Sequence, residues 1–390
     1  MISVSEALAA VLDLGAPVEV EHVPLDQADG RVLAQDVAAT RDQPPFSASA
    51  MDGYAVATAD VTEGDRFTVI GEAAAGHRFE RTIGSGEAVR IFTGAPLPGG
   101  GVRVIIQEDV TREDDAITVG GKLGAGHHVR PAGGDFKAGD VLSAPRRLSP
   151  SDVALLASMN VPFVPVRRHP VVAIIATGDE LVSAGGTPRD DQIIASNSLG
   201  LAAMFRRAGA TARVLPIAKD TPSSLKMDLS LAEGADLLVT IGGASVGDHD
   251  IVAEVAESMG LERQFYKVAM RPGKPLMAGW IGGMAMIGLP GNPVSSMVCG
   301  EVFIRPLLDK YLGLPSGPRA RIELPLTEPL EANSQREHYM RAVVENGTVR
   351  AFARQDSSLL TVLAQANALI VRPPGDPARN VGEPVQVIAL

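Results

Sequence analysis

Cysteine, aromatic residues and positive charge are all in short supply in this chain of 390 residues. The one cysteine, Cys299, cannot close an intramolecular disulfide, which suits a reducing cytoplasm. It sits in VSSMVCGEVFI, an apolar helix face, and reads as a buried structural thiol. Aromatics make up 4% with a single Trp, so the cores must rest on Val, Ile, Leu and Ala. The 35 Lys and Arg against 46 Asp and Glu leave a net charge of −11, with no basic face evident, which argues against general nucleic-acid binding. An acidic protein still binds an anion if a few cations and a metal are concentrated in one cleft. No apolar run approaches the ~20 residues needed to span a membrane. The opening MISVSEALAAVLDLG lacks a basic n-region, carries Glu6 and Asp13, and spaces Ser3 and Glu6 as a capping box. It reads as a capped helix rather than a signal peptide, and the expected location is the cytoplasm.

What the chain does have is length and apolar content for several domains: 45% hydrophobic residues, with 41 Gly and 28 Pro spread along it. Residues 1–45 alternate short helical and extended pieces, and residues 132–168 do the same. Between them, residues 46–131 are Gly-rich with short β-like runs (RFTVI, EAVRIF, VRVIIQEDV). The expectation is a small β domain, 46–131, inserted into one elongated α/β unit made of 1–45 and 132–168. Ser149, Pro150 and Asp152 predict a helix start in the second half of that unit. After YLGLPSGPRA the pattern returns to β, with Asn346-Gly347 as a type I′ hairpin turn, so 316–390 is expected to be a C-terminal β domain.

Residues 169–315 carry the clearest signal. The runs VVAIIA, ARVLPIA, DLLVTIG and MAMIGL alternate with helical stretches starting near Asn197, Thr221, Asp250 and Asn292. Such a pattern predicts a doubly wound α/β domain with a parallel sheet covered on both faces. Three of the four runs end in Gly- and carboxylate-rich loops, ATGDEL, TIGGASVGDHD and GLPGNP. Ligands of open α/β sheets bind beyond the carboxyl ends of the strands, so these loops predict a site. Each loop alone also reads as ordinary punctuation: Asn292 and Pro293 as a helix start, Asp52-Gly53 as a turn, Asp179-Glu180 as a cap. The seven His make no metal-ligand spacing, and His127-His128 reads as structural or surface.

Taken together, eight ordered motifs are specific: SASAMDGYA (47–55), RIFTGAPLP (90–98), QED (107–109), VRPAGGDFKAG (129–139), ATGDEL (176–181), TIGGASVGDHD (240–250), KVAMRPGKP (267–275) and GLPGNPVS (289–296). Through them the chain resembles, nearly end to end, the MoeA family of molybdopterin molybdenumtransferases, whose domain also forms the C-terminal part of gephyrin. The resemblance implies four domains, a two-fold homodimer in which the β domain of one subunit faces the α/β domain of the other, and a molybdopterin adenylyltransferase as partner. The implied reaction takes adenylyl-molybdopterin and molybdate to molybdenum cofactor and AMP. A substrate that brings its own dithiolene sulfurs needs no cysteine ligands from the enzyme.

Two anions must then be brought together. The N–H groups of GGASVG (Gly242, Gly243, Ser245, Gly247), between a strand and a helix start, suit nucleotide phosphates, and no Walker loop is present. Mg²⁺ is the expected metal, a hard cation that takes carboxylates and phosphate oxygens. Asp179, Glu180, Asp248 and Asp250 lie at two strand ends, and the resemblance favours Glu180 and Asp250 as ligands with Asp220 nearby on the substrate. Lys267, Arg271 and Lys274 read either as a solvated charged loop or as an oxyanion clamp, and the family commonly has Lys where this chain has Arg271. Pro290 and Pro293 match the family's functional loop. Asp52, Thr93, Arg130 and Asp135 match family positions in and beside the β domain, with Asp52 expected to act through a metal or as an acid–base. Arg336 and Ser357 fall near implicated positions of the last domain. Two other functions fit less of the chain. A molybdopterin adenylyltransferase needs only residues 169–315, and a gephyrin-like scaffold has no use for the strand-end carboxylates.

Overall fold

The computed structural model describes residues 1–121, 123–243 and 251–390, so the candidate residues Ser245, Gly247, Asp248 and Asp250 lie outside the described residues. The chain divides into two compact units. The larger comprises Met1–Glu21, Gly30–Ala34 and Val166–Leu390, the smaller His22–Asp29 and Gln35–Pro165.

The first helix, α1 (Val4–Asp13), belongs to the larger unit. The backbone N–H of Glu6 donates to Ser3 Oγ at 3.2 Å, and the Ser3 N–H donates to Glu6 Oε2 at 2.7 Å, the capping box the sequence predicts. Val4, Ala7, Leu8 and Val11, spaced along one helical face, are buried in the α/β core, although the sequence pattern groups this segment with residues 132–168.

In the smaller unit, six strands form one sheet: β1 (Gly53–Val56), β2 (Arg66–Ala73), β3 (Glu87–Ile91), β4 (Arg103–Ile106), β5 (Val110–Glu113) and β6 (Ala116–Val119), in the order β4-β1-β3-β2-β6-β5. Alternation along β1 sends Tyr54 and Val56 into a cluster with Phe67, Ile105 and Ile117, and Ala55 into a second with Val89, Ile91 and Val104. Gly53 is obligatory, because a Cβ there would stand 2.0 Å from the Ile105 carbonyl oxygen of the neighbouring strand. Helix α2 (Pro150–Ser158) starts as expected, with Ser149 and Asp152 forming a capping box and Pro150 in the first turn.

The larger unit carries β7 (Val171–Ala176), α3 (Asn197–Arg207), β8 (Thr211–Val214), α4 (Pro222–Ser230), β9 (Leu237–Ile241), α5 (Ile251–Ser258), β10 (Leu261–Lys267), β11 (Met270–Arg271), β12 (Pro275–Ile281), β13 (Met284–Leu289), α6 (Pro293–Cys299) and α7 (Arg305–Tyr311). Its sheet runs β8-β7-β9-β13-β12-β10, with the first four strands parallel. Val172 and Ile174 of β7 pack with α1, α3, α6 and α7, while Ala173 and Ile175 pack with α4 and α5. This is the doubly covered α/β sheet the sequence predicts. It is extended by two antiparallel strands that the sequence pattern did not separate. Gly282 (φ +55°) and Gly283 (φ +84°) turn β12 back into β13 as a two-residue hairpin.

A second sheet is built from β14 (Ile322–Pro325), β15 (Glu337–Glu345), β16 (Thr348–Ala351), β17 (Ala368–Arg372) and β18 (Pro384–Ala389), with α8 (Leu360–Gln365) before β17. Its order is β11-β15-β17-β18-β14, with β16 hydrogen-bonded to β15. Asn346 and Gly347 turn β15 into β16 with φ of +50° and +74°, as the type I′ signal predicts. Strand β11, from the MRPGKP stretch, joins this sheet rather than the α/β one. Tyr339, Leu369, Val371 and Ile388 share the α/β core. Among the described residues no helix is long and apolar enough to cross a membrane.

Candidate active site

The larger unit has a crevice of about 930 Å³ at the carboxyl ends of its parallel strands, where the sequence predicts a site. Glu180, Asp220, Gly242, Gly243, Pro290 and Pro293 line it together. The strand ends are tied by backbone bonds: the Thr177 N–H donates to Ile241 O at 2.9 Å and the Gly178 N–H to Ala218 O at 3.2 Å. Beyond β7 the chain turns at Gly178 (φ +147°), where a Cβ would lie 2.3 Å from Glu180 Oε2. Asp179 Oδ1 accepts the Asp220 N–H at 3.3 Å, joining two acidic loops. Beyond β9, Gly242 and Gly243 have φ of +91° and +69°, and a Cβ on Gly243 would stand 2.2 Å from Val252 Cγ2. Only glycine fits both constraints. The Asp179, Glu180 and Asp220 side chains are exposed, and no Lys or Arg lines the crevice among the described residues.

None of the three predicted cations lines the crevice. Lys267 ends β10 with its Nζ 5.3 Å from the Tyr266 ring centroid. Arg271 ends β11, and Lys274 precedes Pro275, which does line the crevice. The turn between them needs Gly273 (φ +112°), since a Cβ there would fall 2.5 Å from Cys299 Sγ. The lone cysteine is thus packed under the cation loop, and burial pushes its thiol pKa far up, which suits the structural reading.

In the smaller unit, Asp52 is oriented by Thr93. Its Oδ1 accepts the Thr93 backbone N–H at 2.7 Å and the Thr93 hydroxyl at 2.8 Å. These bonds, backbone first, hold its pKa below the ordinary carboxylate value, helped by the Arg90 charge. Arg90 stacks over Tyr54 and Phe92 at 5.0 and 4.9 Å and donates to Gln107 Oε1 at 2.6 Å. Arg130 is exposed on a two-residue strand that pairs with Ala48–Ser49, and Asp135 is exposed in the following turn.

Some crevice residues escaped the sequence reading. Asn197, at the start of α3, donates from Nδ2 to Gly291 O at 2.7 Å and so fixes the GLPGNP loop. Its signal was the ASNS run before a helix, which reads equally well as a cap. Asn292 sits at the N-cap of α6 but makes no side-chain capping bond, so its predicted capping role is not realised there. Both asparagines line the crevice, as does Ser358 of the C-terminal region, while Ser357 accepts the Val294 N–H through its carbonyl at 3.0 Å. Among the described residues no three His, Cys, Asp or Glu side chains converge as a metal cage. Two exposed carboxylates in one crevice instead suit a hard cation that also binds a substrate's phosphates.

Three family models match the chain in order: the MoeA N-terminal region (domain I and II) over residues 2–160, a probable molybdopterin binding domain over 173–310, and the MoeA C-terminal region (domain IV) over 323–390. A molybdopterin molybdenumtransferase of Nostoc sp. is 35% identical, across 95% of this chain and 89% of its own length. One from Bacillus subtilis is 33% identical over 100% and 94% of the two chains. The crystal structure of a molybdopterin biosynthesis MoeA protein from Pyrococcus horikoshii OT3 superimposes with a TM-score of 0.86 at 28% identity, covering 100% of both chains. With its motifs, its strand-end crevice and its full-length likeness in agreement, the chain belongs to the MoeA family of molybdopterin molybdenumtransferases.

Proposed function

We propose that this protein inserts molybdate into adenylyl-molybdopterin in a Mg²⁺-dependent reaction that releases AMP, and that it works as a cytoplasmic homodimer supplied by a molybdopterin adenylyltransferase. The observation that carries this reading is the crevice itself. It juxtaposes two carboxylates, Glu180 and Asp220, with the glycine backbone of Gly242 and Gly243 at the ends of parallel strands. Glycines at these positions let a phosphate approach the main chain closely. Glu180 would hold Mg²⁺, with Asp220 beside the bound nucleotide and Asp250 as the second ligand; the bound ion would neutralise phosphate charge. Lys267, Arg271 and Lys274 would receive the oxyanions, and Asn197 keeps the Pro290–Pro293 loop in place. Asp52, held ionised by Thr93, would act through the metal or as an acid–base, with Arg130 and Asp135 on the same unit as further substrate contacts.

The test is incubation with adenylyl-molybdopterin, molybdate and Mg²⁺, following AMP release and cofactor formation. Wild type is expected to release AMP only when molybdate is present. ATP-dependent adenylylation of molybdopterin instead would assign the adenylyltransferase activity, and binding without turnover would assign a scaffold. Arg271→Lys should keep most activity, whereas Arg271→Ala and Lys274→Ala should weaken apparent affinity for molybdate. The dimer is tested by purifying mixed assemblies of Asp52→Asn and Glu180→Gln chains through two tags. Recovery of about half the wild-type activity supports sites shared between subunits of a C₂ dimer, and no recovery rejects sharing.

A further inference from the structure

The larger unit has a second cavity, of about 620 Å³, at the opposite end of its parallel strands. It shares no lining residue with the crevice. Asp236, just before β9, lines the cavity, and Gly242, just after β9, lines the crevice. A strand of that length sets the two sites roughly 16 Å apart. Strands β12 and β13 span the same interval: Pro275 and Pro290 line the crevice, whereas Trp280 and Met284 line the cavity.

The cavity walls are largely apolar. Leu14, Leu229, Leu238, Met259 and Met284 surround it together with Trp280, the one tryptophan of the chain. Trp280 is half-buried, so part of its indole stays open. Among the described residues Arg168 is the one Lys or Arg that lines the space, and its donors are engaged. Nη1 and Nη2 hold Asp236 as a bidentate pair, each at 2.7 Å, while Nε donates to Glu19 Oε2 at 2.6 Å. Nη1 also donates to the His169 carbonyl at 3.3 Å. The Val171 N–H adds a further bond to Asp236 Oδ2 at 2.7 Å, so this pair is fixed. Glu233 also lines the cavity, is exposed, and its carboxylate has no ion pair among the described residues. Arg213 donates instead to the Glu233 main-chain carbonyl, at 3.0 Å. Glu19, Asp236 and Glu233 thus face a single saturated guanidinium, a field that repels anions and leaves Glu233 available to a cation.

We propose that this cavity is a binding site for an organic cation with an apolar body, held by the Leu and Met walls, the Trp280 ring and the Glu233 carboxylate. Its volume lies in the range that encloses a small ligand, with few polar groups among apolar walls. Tryptophan offers the strongest π-face to a cation, and a neighbouring unpaired carboxylate adds to that attraction. The crevice also has carboxylates, but no aromatic side chain lines it among the described residues. Binding at the cavity changes no covalent bond and is independent of the proposed reaction.

Benzyltrimethylammonium is the probe, with 3-phenylpropanol as its neutral counterpart and benzenesulfonate as its anionic one. Because Trp280 is the single tryptophan, its fluorescence in the full chain reports on this cavity directly. The cation is expected to change that fluorescence saturably, binding about 3- to 5-fold more tightly than the alcohol, with no response to benzenesulfonate. Glu233→Gln should weaken the cation several-fold and the alcohol little. Trp280→Leu, followed by calorimetry, should lose cation binding; the exposed Glu233→Gln remains informative where that variant folds poorly. Equal affinity for cation and alcohol, or cation binding indifferent to Glu233→Gln, overturns the proposal. Cation binding abolished by Glu180→Gln would place the probe in the crevice and overturn it as well. Absence of any saturable change up to about 10 mM does the same.

Discussion

Asp376 and Glu180 are carboxylates of the same unit in opposite circumstances. Asp376 is 8% exposed and accepts from Arg372 and from Arg379, the latter at 2.6 Å. Burial would raise its pKa, yet the bonds from Arg379 and Arg372 win and hold it below the ordinary carboxylate value. Glu180 is exposed in the crevice and meets no cation among the described residues. Paired charge ties Asp376 into the C-terminal region, whereas Glu180 is left unpaired on the crevice wall. The same contrast separates Arg372 from Arg271, two strands apart in one row of the C-terminal sheet. A carboxylate left unpaired in a crevice is the better pointer to function, because it gives no ion pair to the fold and is free to meet a ligand.

The sharpest break of that contrast is Arg372→Ala, which removes a fully buried partner and leaves Asp376 only Arg379, and should cost ~3 kcal/mol in urea denaturation. Glu180→Gln should leave the same transition within ~0.5 kcal/mol of wild type. Equal effects in the two variants would erase the distinction. Asp376 also sets a pH window: a depressed folded pKa contributes stability that is present above about pH 4 and is lost as the pH falls through the folded value. Asp376→Asn should therefore destabilise at neutral pH and flatten the acid limb of the stability profile.

Next in size, Glu180→Gln should lower molybdate-dependent AMP release by ~100-fold, equivalent to ~2.7 kcal/mol of transition-state stabilisation. Near-normal turnover at ordinary Mg²⁺ would remove Glu180 from the site. Thr93→Val tests the oriented carboxylate, removing the hydroxyl bond while keeping the backbone one. Activity should fall several-fold, and the acid limb of the pH–rate profile should move to higher pH because Asp52 protonates more easily. An unmoved acid limb would disconnect Asp52 from turnover. The smallest effect is expected at a purely local feature: Ser149→Ala should cost ~1 kcal/mol of stability and leave kcat unchanged.

Much of this was legible in the linear chain because its physics is local. The capping boxes at Ser3/Glu6 and Ser149/Asp152 need only residues three apart, and Asn346-Gly347 needs only a turn. The four apolar runs that become β7, β8, β9 and β13 are long enough to read as buried parallel strands. The β12–β13 hairpin was equally present, as Gly282-Gly283 between two apolar runs, but continuous hydrophobicity hid the point where the direction reverses.

Composition, periodicity and the ordered motifs fixed the residue types available: carboxylates and glycines at strand ends, cations on one short loop, a single thiol in a helix. What they could not fix was distance across the fold. That Asn197 reaches Gly291, that Gly273 lies over Cys299, and that β11 leaves its neighbours to join the C-terminal sheet all depend on contacts between segments far apart in sequence. The row Arg271–His338–Arg372 arises the same way, from register between three strands drawn from separate stretches of chain. Local propensity decides which residues form strands and turns, but the net charge of a site is set by which strands pair, and pairing is decided only when the whole core packs.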